Sequence, residues 1–491
     1  MRTLGNVDLT DSWKIRFLPG TLSLLIGLGL GPILAMLIVG GNWPFAFALV
    51  ALVPLVILFS VYPFVAVLIW LLVMPFFAIT PTVASRYIYW MFHRAMIPIA
   101  LGTAILSDML RVRKRPPARL GRAELATVLF TGTVVVSILL LQQSPQSTLI
   151  LAYDRILVPF CMYWLVRLTA PRQKDLQRLL PVALIILIAE SVIGLLSWFA
   201  PQALPAAWLG LQGARTTGSL SNPAVYTTTL MFFSLLIFQA AMNRKPGAVR
   251  SIFLFAFGLG TICVFLSFSR GSWLGGLLVG AGLLFLYPKA MLRMTVILLV
   301  LMIFLGSGAL SAQMTWASER LEDRGSTDAR IVEMRAALRM TQAKPFFGWG
   351  YNNFDRYDRQ FQVRTDNSAI SYDETSHNTW LTIMTEMGLI GFFLFAFPFV
   401  WWLMLTIKVR PQMPKKGLWS WPLLTMFWLV IGDFFIVNNF MDMRHFPFGL
   451  TLLWTTLAFA ANMVCSYLKA DDIGAPAWAR RAAGLASDNI T

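Results

Sequence analysis

Few side chains in this chain could do chemistry, and they are mostly arginines and histidines. The segment 267–273, Ser-Phe-Ser-Arg-Gly-Ser-Trp, sets Arg270 between two apolar runs with almost no loop. A charge there is costly unless it is paired or bound. Arg215 opens a second short segment, Arg215-Thr-Thr-Gly218, ahead of Asn222-Pro223. Asp328 reads as the N-cap of a helix carrying Arg330, Glu333, Arg335 and Arg339, with Ile331, Met334 and Leu338 as its apolar stripe. Pro345 stops that helix, and Phe346-Phe-Gly-Trp349-Gly-Tyr351 makes an aromatic, glycine-bent turn. His377-Asn378 then begins another apolar run, ahead of Gly388-Leu-Ile-Gly391. Guanidinium groups are always charged and present paired donors, so they suit phosphate or carboxylate. Imidazole is the side chain best suited to take a proton near neutral pH. The set therefore points to an anionic ligand with a base, His377, beside it.

Other candidates carry less. The chain has three histidines, and His93 and His445 read as structural. Glu190, Glu386 and Asp433 lie inside apolar runs, where a carboxylate is expensive. Glu386 falls roughly 13 Å along the helix from His377 at about 1.5 Å per residue, so a pairing with a neighbouring helix is expected. Glu190 and Asp433 fit either an interhelical hydrogen bond or an ion path. Cys161, Cys263 and Cys465 lie in apolar runs and read as buried hydrophobes, not a disulfide framework. There is no P-loop, no dinucleotide fingerprint, no zinc spacing and no outer D-x-D pair, so neither a metal nor a cofactor is expected.

The elements that must position these residues are membrane spans. The 491 residues are 57% hydrophobic and 13% charged, about half the charge of a soluble protein. Runs of about 20 apolar residues fall near 22–40, 44–61, 62–79, 93–109, 124–141, 150–168, 179–199, 223–242, 251–268, 272–287, 291–310, 378–407, 418–437 and 446–466. That gives an all-α polytopic protein of about 14 spans, with only Tyr62-Pro63 separating the second and third. The first run has no convincing cleavage site and reads as an uncleaved span. The layout is spans 1–11 over 1–305, one large outer loop with an amphipathic helix over 306–377, spans 12–14 over 378–466, and a tail over 467–491.

Charge sets the orientation. With both termini inside, the inner segments and span ends hold 25 of the 40 Lys and Arg and 8 of the 23 acids, which is the whole net charge of +17. The excess is an orientation signal and implies no nucleic acid. The outer half is charge-balanced. It holds six single arginines near span ends: Arg86, Arg94, Arg155, Arg215, Arg270 and Arg444.

The ordered set resembles a known family. Ser269-Arg270-Gly271, one further span, a long outer loop with Arg330 upstream of Pro345-Phe-Phe-Gly-Trp-Gly-Tyr-Asn-Asn-Phe354, then His377-Asn378 and Gly388-x-x-Gly391, resembles the bacterial O-antigen ligase and Wzy-type polymerase superfamily. The resemblance covers about 215 to 400; the first 200 residues are similar only as apolar spans. It implies a GT-C-like membrane glycosyltransferase in the bacterial inner membrane, working at the periplasmic face. The donor it implies is an oligosaccharide on undecaprenyl pyrophosphate, with no nucleotide sugar or metal. Arg215, Arg270 and Arg330 would hold the pyrophosphate, with Arg335 and Asn378 beside them, and His377 would act at the acceptor hydroxyl with inversion. Trp349 and Tyr351 would stack on sugar rings or pack the loop on the membrane surface. The span count favours a polymerase of O-antigen or exopolysaccharide repeat units, with which a chain-length regulator would be compatible. The alternative is a ligase that uses lipid A–core in lipopolysaccharide biosynthesis, and a protein acceptor also stays open. From another class, a lipid-linked glycan flippase or anion transporter would need related halves and a polar midplane path, and neither is visible.

Overall fold

The computed structural model describes residues 32–77, 83–110, 120–209, 215–304, 315, 318, 325–363 and 376–468. Most of the first run, the basic cluster over 111–119, most of 305–324, residues 364–375 and the tail from 469 lie outside the described residues. Every regular element among the described residues is helical.

After a helical stretch over 32–39 come α1 (Trp43–Val61) and α2 (Phe64–Phe77). Their meeting at Tyr62-Pro63 is a bend of 119°, so this pair is a broken span or a re-entrant hairpin. Next, α3 (Val83–Tyr89) passes through a π-turn, Trp90–Ala95, into α4 (Met96–Met109). Beyond α5 (Arg122–Leu141), α6 (Pro145–Ala152) passes through a second π-turn, Tyr153–Leu157, into α7 (Val158–Thr169). Then come α8 (Gln173–Phe199), α9 (Pro223–Met242), α10 (Ala248–Phe265), α11 (Arg270–Leu286) and α12 (Pro288–Phe304). The amphipathic α13 (Gly325–Ala343) and short α14 (Phe354–Phe361) precede α15 (Thr379–Val409), α16 (Trp421–Val437) and α17 (Pro447–Cys465).

Among the described residues, seven helical segments are long and apolar enough to cross a membrane, or eight if the bent pair is one span. α11 and α16 are apolar but shorter. The described helices thus support a polytopic membrane protein, while the number fourteen rests on the sequence runs alone. Two spans form the centre. In α9 and α17, 94% of the apolar window is buried, against 33–61% in the other five. Around them, Leu140, Phe285 and Ile407 point outward, as lipid-facing residues do. Aromatic rings fill the centre: Trp454 of α17 meets Phe160 of α7 and Phe395 of α15 edge-on, at 4.6 and 5.4 Å between centroids.

Local chemistry explains the starts of these helices. Pro223 and Pro447 stand in the first turn, where a missing N–H costs nothing. The Asn222 side chain accepts from the amides of Ala224 and Val225. Two expectations for the outer helix fail. α13 begins at Gly325, so Asp328 lies within it and is not its N-cap. Its buried face is Val332, Glu333, Ala336, Ala337 and Met340, while Ile331 and Leu338 are exposed. A stripe through Ile331, Met334 and Leu338 is the more apolar choice. Yet α13 packs on α14 and α15 through small residues that allow close approach, and it buries Glu333 with them.

Candidate functional site

The site is built around a break in α15. Gly388 has φ +66°, a left-handed conformation that interrupts the helix. The turn after α13 docks into the opening. Trp349 N–H donates to Thr385 O (3.1 Å) and Gly350 N–H to Glu386 O (2.8 Å). In return Leu389 N–H donates to Pro345 O (2.7 Å) and Ile390 N–H to Phe346 O (3.3 Å). Backbone meets backbone here: a Cβ on Gly348 would strike the Glu386 carbonyl, and one on Gly388 would strike Phe346. That is why glycine is needed on both sides of the contact, at Gly348 and at Gly388.

The N-terminal end of α15 is fixed as firmly. Asn378 caps the helix by accepting from Leu381 N–H at 3.0 Å. Its amide donates to Asn439 Oδ1 at 3.2 Å, and Thr379 N–H donates to Asn438 O at 2.9 Å. His377, just before the cap, is held at φ +50°. Its Nε2 lies 3.8 Å from Oε2 of the buried Glu333 on α13. Arg330 is one turn earlier on α13 and is half-buried. Arg270 is half-buried in the first turn of α11, whose Gly271 lies against the Phe440 ring with no room for a Cβ. The 438–441 turn therefore touches both the His377-Asn378 start and the Arg270-Gly271 start.

Arg215 arrives from another direction. Thr216 N–H donates to Leu266 O (3.3 Å) and its hydroxyl to Cys263 O (3.1 Å), which seats the Arg215 segment on the end of α10, just before Arg270. The following turn is pinned by the buried Glu190, which accepts from the backbone N–H of Ser219 (3.0 Å) and from its hydroxyl. Glu190 is thus an interhelical hydrogen-bond anchor for the Arg215 loop.

Backbone strain gathers here too. Among the described residues, the non-glycine positions with positive φ are Ala170, Ser221, Phe268, Asn352 and His377. All but Ala170 lie in the loops just described. Left-handed non-glycine residues cost of order 1–3 kcal/mol each and persist where the surroundings impose them.

The outer arginines divide into two kinds. Arg94 makes a two-point pair with Asp154, at 2.7 and 2.5 Å. Arg444 is buried between Glu386 (2.6 Å) and Asp442 (2.7 Å), and its guanidinium carbon lies 5.6 Å from the centre of the Tyr351 ring. Burial alone would raise the Asp442 carboxyl, but the charge and hydrogen bonds of Arg444 outweigh it and hold it at about 2. The expected partner of Glu386 is therefore Arg444, on the turn before α17. Arg155 differs from both. Its guanidinium binds neutral atoms, Asn352 Oδ1 at 3.0 Å and His445 Nδ1 at 3.2 Å.

The remaining sequence-selected residues sort as follows. Arg335 is exposed on α13. Trp349 donates to Met340 O (2.8 Å), with Lys344 Nζ 4.0 Å from its ring centroid and Tyr357 at 4.7 Å. Tyr351 is 1% exposed. Both rings pack the turn, Tyr351 fully covered and Trp349 half-buried. His93 is fully buried against Trp70 and Tyr89. Asp433 is buried against Gly275 of α11, and neither carboxylate oxygen has a hydrogen-bond partner among the described residues. Sequence reasoning named Glu333, Arg155 and His445 but gave none of them a place of its own in the site, with Arg155 only one of six outer arginines and His445 read as structural. For Glu333 a signal existed: it is the one acid between Arg330 and Arg335. For Arg155 and His445 there was none beyond residue type.

An all-helical membrane-type protein whose basic and imidazole groups converge at one set of helix ends is the class that fold and site define. Residues 255–396 match the family model described as O-antigen ligase, so this part of the chain is similar to that family. The matched region runs from α10 through the Gly388 break and includes Arg270, Arg330, the aromatic turn and His377, but not Arg155, Arg215, Arg444 or His445. No curated protein matches the chain.

Proposed function

We propose that the chain is a metal-independent glycosyltransferase that moves a glycan from undecaprenyl pyrophosphate to an acceptor hydroxyl. It works at the periplasmic face of the inner membrane, with both termini in the cytoplasm. The observation that carries the reading is that one turn, 438–441, touches both the Arg270-Gly271 and the His377-Asn378 starts.

In this reading Arg215, Arg270 and Arg330 hold the pyrophosphate. The bond from the anomeric carbon to the phosphate oxygen breaks, and undecaprenyl pyrophosphate leaves with the electron pair. Fixed guanidinium groups stabilise that growing charge without reorganising. The acceptor oxygen attacks from the opposite face, its proton passes to His377, and the anomeric centre inverts. Glu333, whose Oε2 lies 3.8 Å from His377 Nε2, orients the ring.

Two acceptors have support. The fourteen apolar runs favour a second lipid-linked repeat unit and hence a polymerase, and the description of the matched model favours lipid A–core and hence a ligase. Purified protein given lipid-linked oligosaccharide alone, then with lipid A–core, separates them by product. Arg270→Ala should abolish transfer in both, and Arg270→Lys should fail as well because a point charge cannot make the paired contact. Full activity of either variant sinks the proposed site.

A further inference from the structure

The contact between Arg155 and His445 fixes more than a position. Arg155 Nη2 lies 3.2 Å from His445 Nδ1. Guanidinium nitrogens can only donate, so Nδ1 must be the acceptor and the ring proton must sit on Nε2. A proton on Nδ1 would set N–H against N–H. Arg155 cannot easily turn away, because its other terminal nitrogen donates to Asn352 Oδ1 at 3.0 Å. Asn352 itself is held at φ +59° just after the turn that docks into the Gly388 break. On the histidine side, His445 N–H donates to Asp442 O at 3.3 Å, and Asp442 is clamped by Arg444. His445 is half-buried, and its Nε2 makes no hydrogen bond to protein among the described residues.

The charged groups that act on this ring are Asp442, Arg155, Arg444 and His377. Burial holds the imidazole down at about 4; Asp442 opposes this, and Arg155, Arg444 and His377 reinforce it. His445 is therefore neutral near neutral pH, and the Arg155 contact fixes it as a donor through Nε2.

We propose that His445 is a second histidine of the transfer site, a neutral Nε2–H donor locked by Arg155, which holds the acceptor sugar by a hydroxyl oxygen while His377 takes the proton. This rests on the glycosyl-transfer reading above. A neutral donor suits an alcohol. It orients the oxygen without competing for the proton, and it leaves charge to the arginines that meet phosphate. His445 touches substrate in this reading, whereas Arg155 is a positioning residue that acts through it.

The chain has only three histidines, so full-length protein labelled with nitrogen-15 histidine in nanodiscs gives a readable spectrum. His445 should show a bare Nδ1 and a protonated Nε2, unchanged from about pH 8 to about pH 5, since an unperturbed histidine titrates near 6.5. In Arg155→Leu, with no donor facing Nδ1, the proton should be shared between the two ring nitrogens. A wild-type His445 that carries its proton on Nδ1, or titrates in that range, overturns the proposal. In transfer assays, His445→Leu should raise the acceptor KM about tenfold, the loss of one neutral hydrogen bond, and leave the donor KM unchanged. His445→Gln keeps an N–H at similar reach and should recover most of the loss. An unchanged acceptor KM in His445→Leu, or equal loss in both variants, overturns the donor role. If the wild type transfers no glycan to either acceptor, the proposed function fails and this role falls with it. A transferring wild type with the wrong tautomer overturns this inference alone.

Discussion

Arg155 and Arg167 stand on one helical rod, Pro145–Thr169, Arg167 near its C-terminal end and Arg155 about 18 Å back toward the other end, at about 1.5 Å per residue. Arg167 is 1% exposed. It donates to Glu124 at 2.8 Å and to Asn462 at 2.6 Å, and its guanidinium carbon lies 4.7 Å from the centre of the Trp402 ring. Glu124 also accepts from Tyr163, which accepts in turn from Trp402. That end ties α5, α7, α15 and α17 together. Arg155 is half-buried and binds only neutral atoms, Asn352 and His445. The same residue type thus serves as a structural lock where a carboxylate closes around it. Where its partners are neutral, it leaves positive charge facing the site. Burial of the counter-charge, and not the arginine, makes the difference.

Substitutions should separate the two ends. The largest effect is expected at the site. His377→Ala should cut transfer by about 10²–10⁴-fold, the usual contribution of a general base, with the thermal midpoint in detergent nearly unmoved. A matching loss of stability would make His377 a structural residue. Next comes Arg167→Ala, which strands Glu124 in the core and should cost about 3–5 kcal/mol. Denaturant titration in micelles reads this, and Arg155→Ala should lose less than about 1 kcal/mol in the same titration. Equal losses would erase the contrast between the ends. Gly388→Ala should cost at least about 1–3 kcal/mol, because alanine resists a positive φ and its methyl meets Phe346. It should lower transfer too, since the aromatic turn could no longer dock.

The smallest effect concerns pH. His445 is held at about 4 when folded, against an ordinary 6.5. Between those values the unfolded chain binds more protons, so stability rises with pH through that window and is flat above it. Removing His445 should flatten the slope. Asp442 runs lower: its contribution is complete above the ordinary carboxylate range and is lost only as pH falls toward about 2. Melting curves at half-unit steps from pH 7 to pH 4, run on the wild type and on His445→Leu, should isolate this histidine from the other buried groups. A slope unchanged in His445→Leu would mean that some other group causes it.

Much of this was legible in the sequence. Hydrophobicity averaged over a span is a local property, so the helical membrane class and most helix positions follow from the runs. The motif set also placed the family, because Ser269-Arg270-Gly271, the aromatic turn and His377-Asn378 stand in fixed order. The reading failed where a choice depended on a neighbour. Ile331 and Leu338 are more apolar than Ala336 and Ala337, yet they are exposed because α13 meets α14 and α15 through its small residues. Trp349 and Tyr351 look alike in the loop sequence, yet Tyr351 is covered by packing and Trp349 stays half-buried.

The sequence by itself determined the class of protein, its helical elements and the short roster of arginines and histidines available for chemistry. It did so because those properties depend on composition and local spacing. Only the tertiary structure decided which arginines are neutralised, how the aromatic turn enters the break at Gly388, and which ring nitrogen of His445 holds its proton. Each of those depends on contacts between segments far apart in the chain, such as Arg155 and His445, which are 290 residues apart. No local pattern encodes which of several arginines meets a carboxylate; that follows from where the packed helices leave their ends.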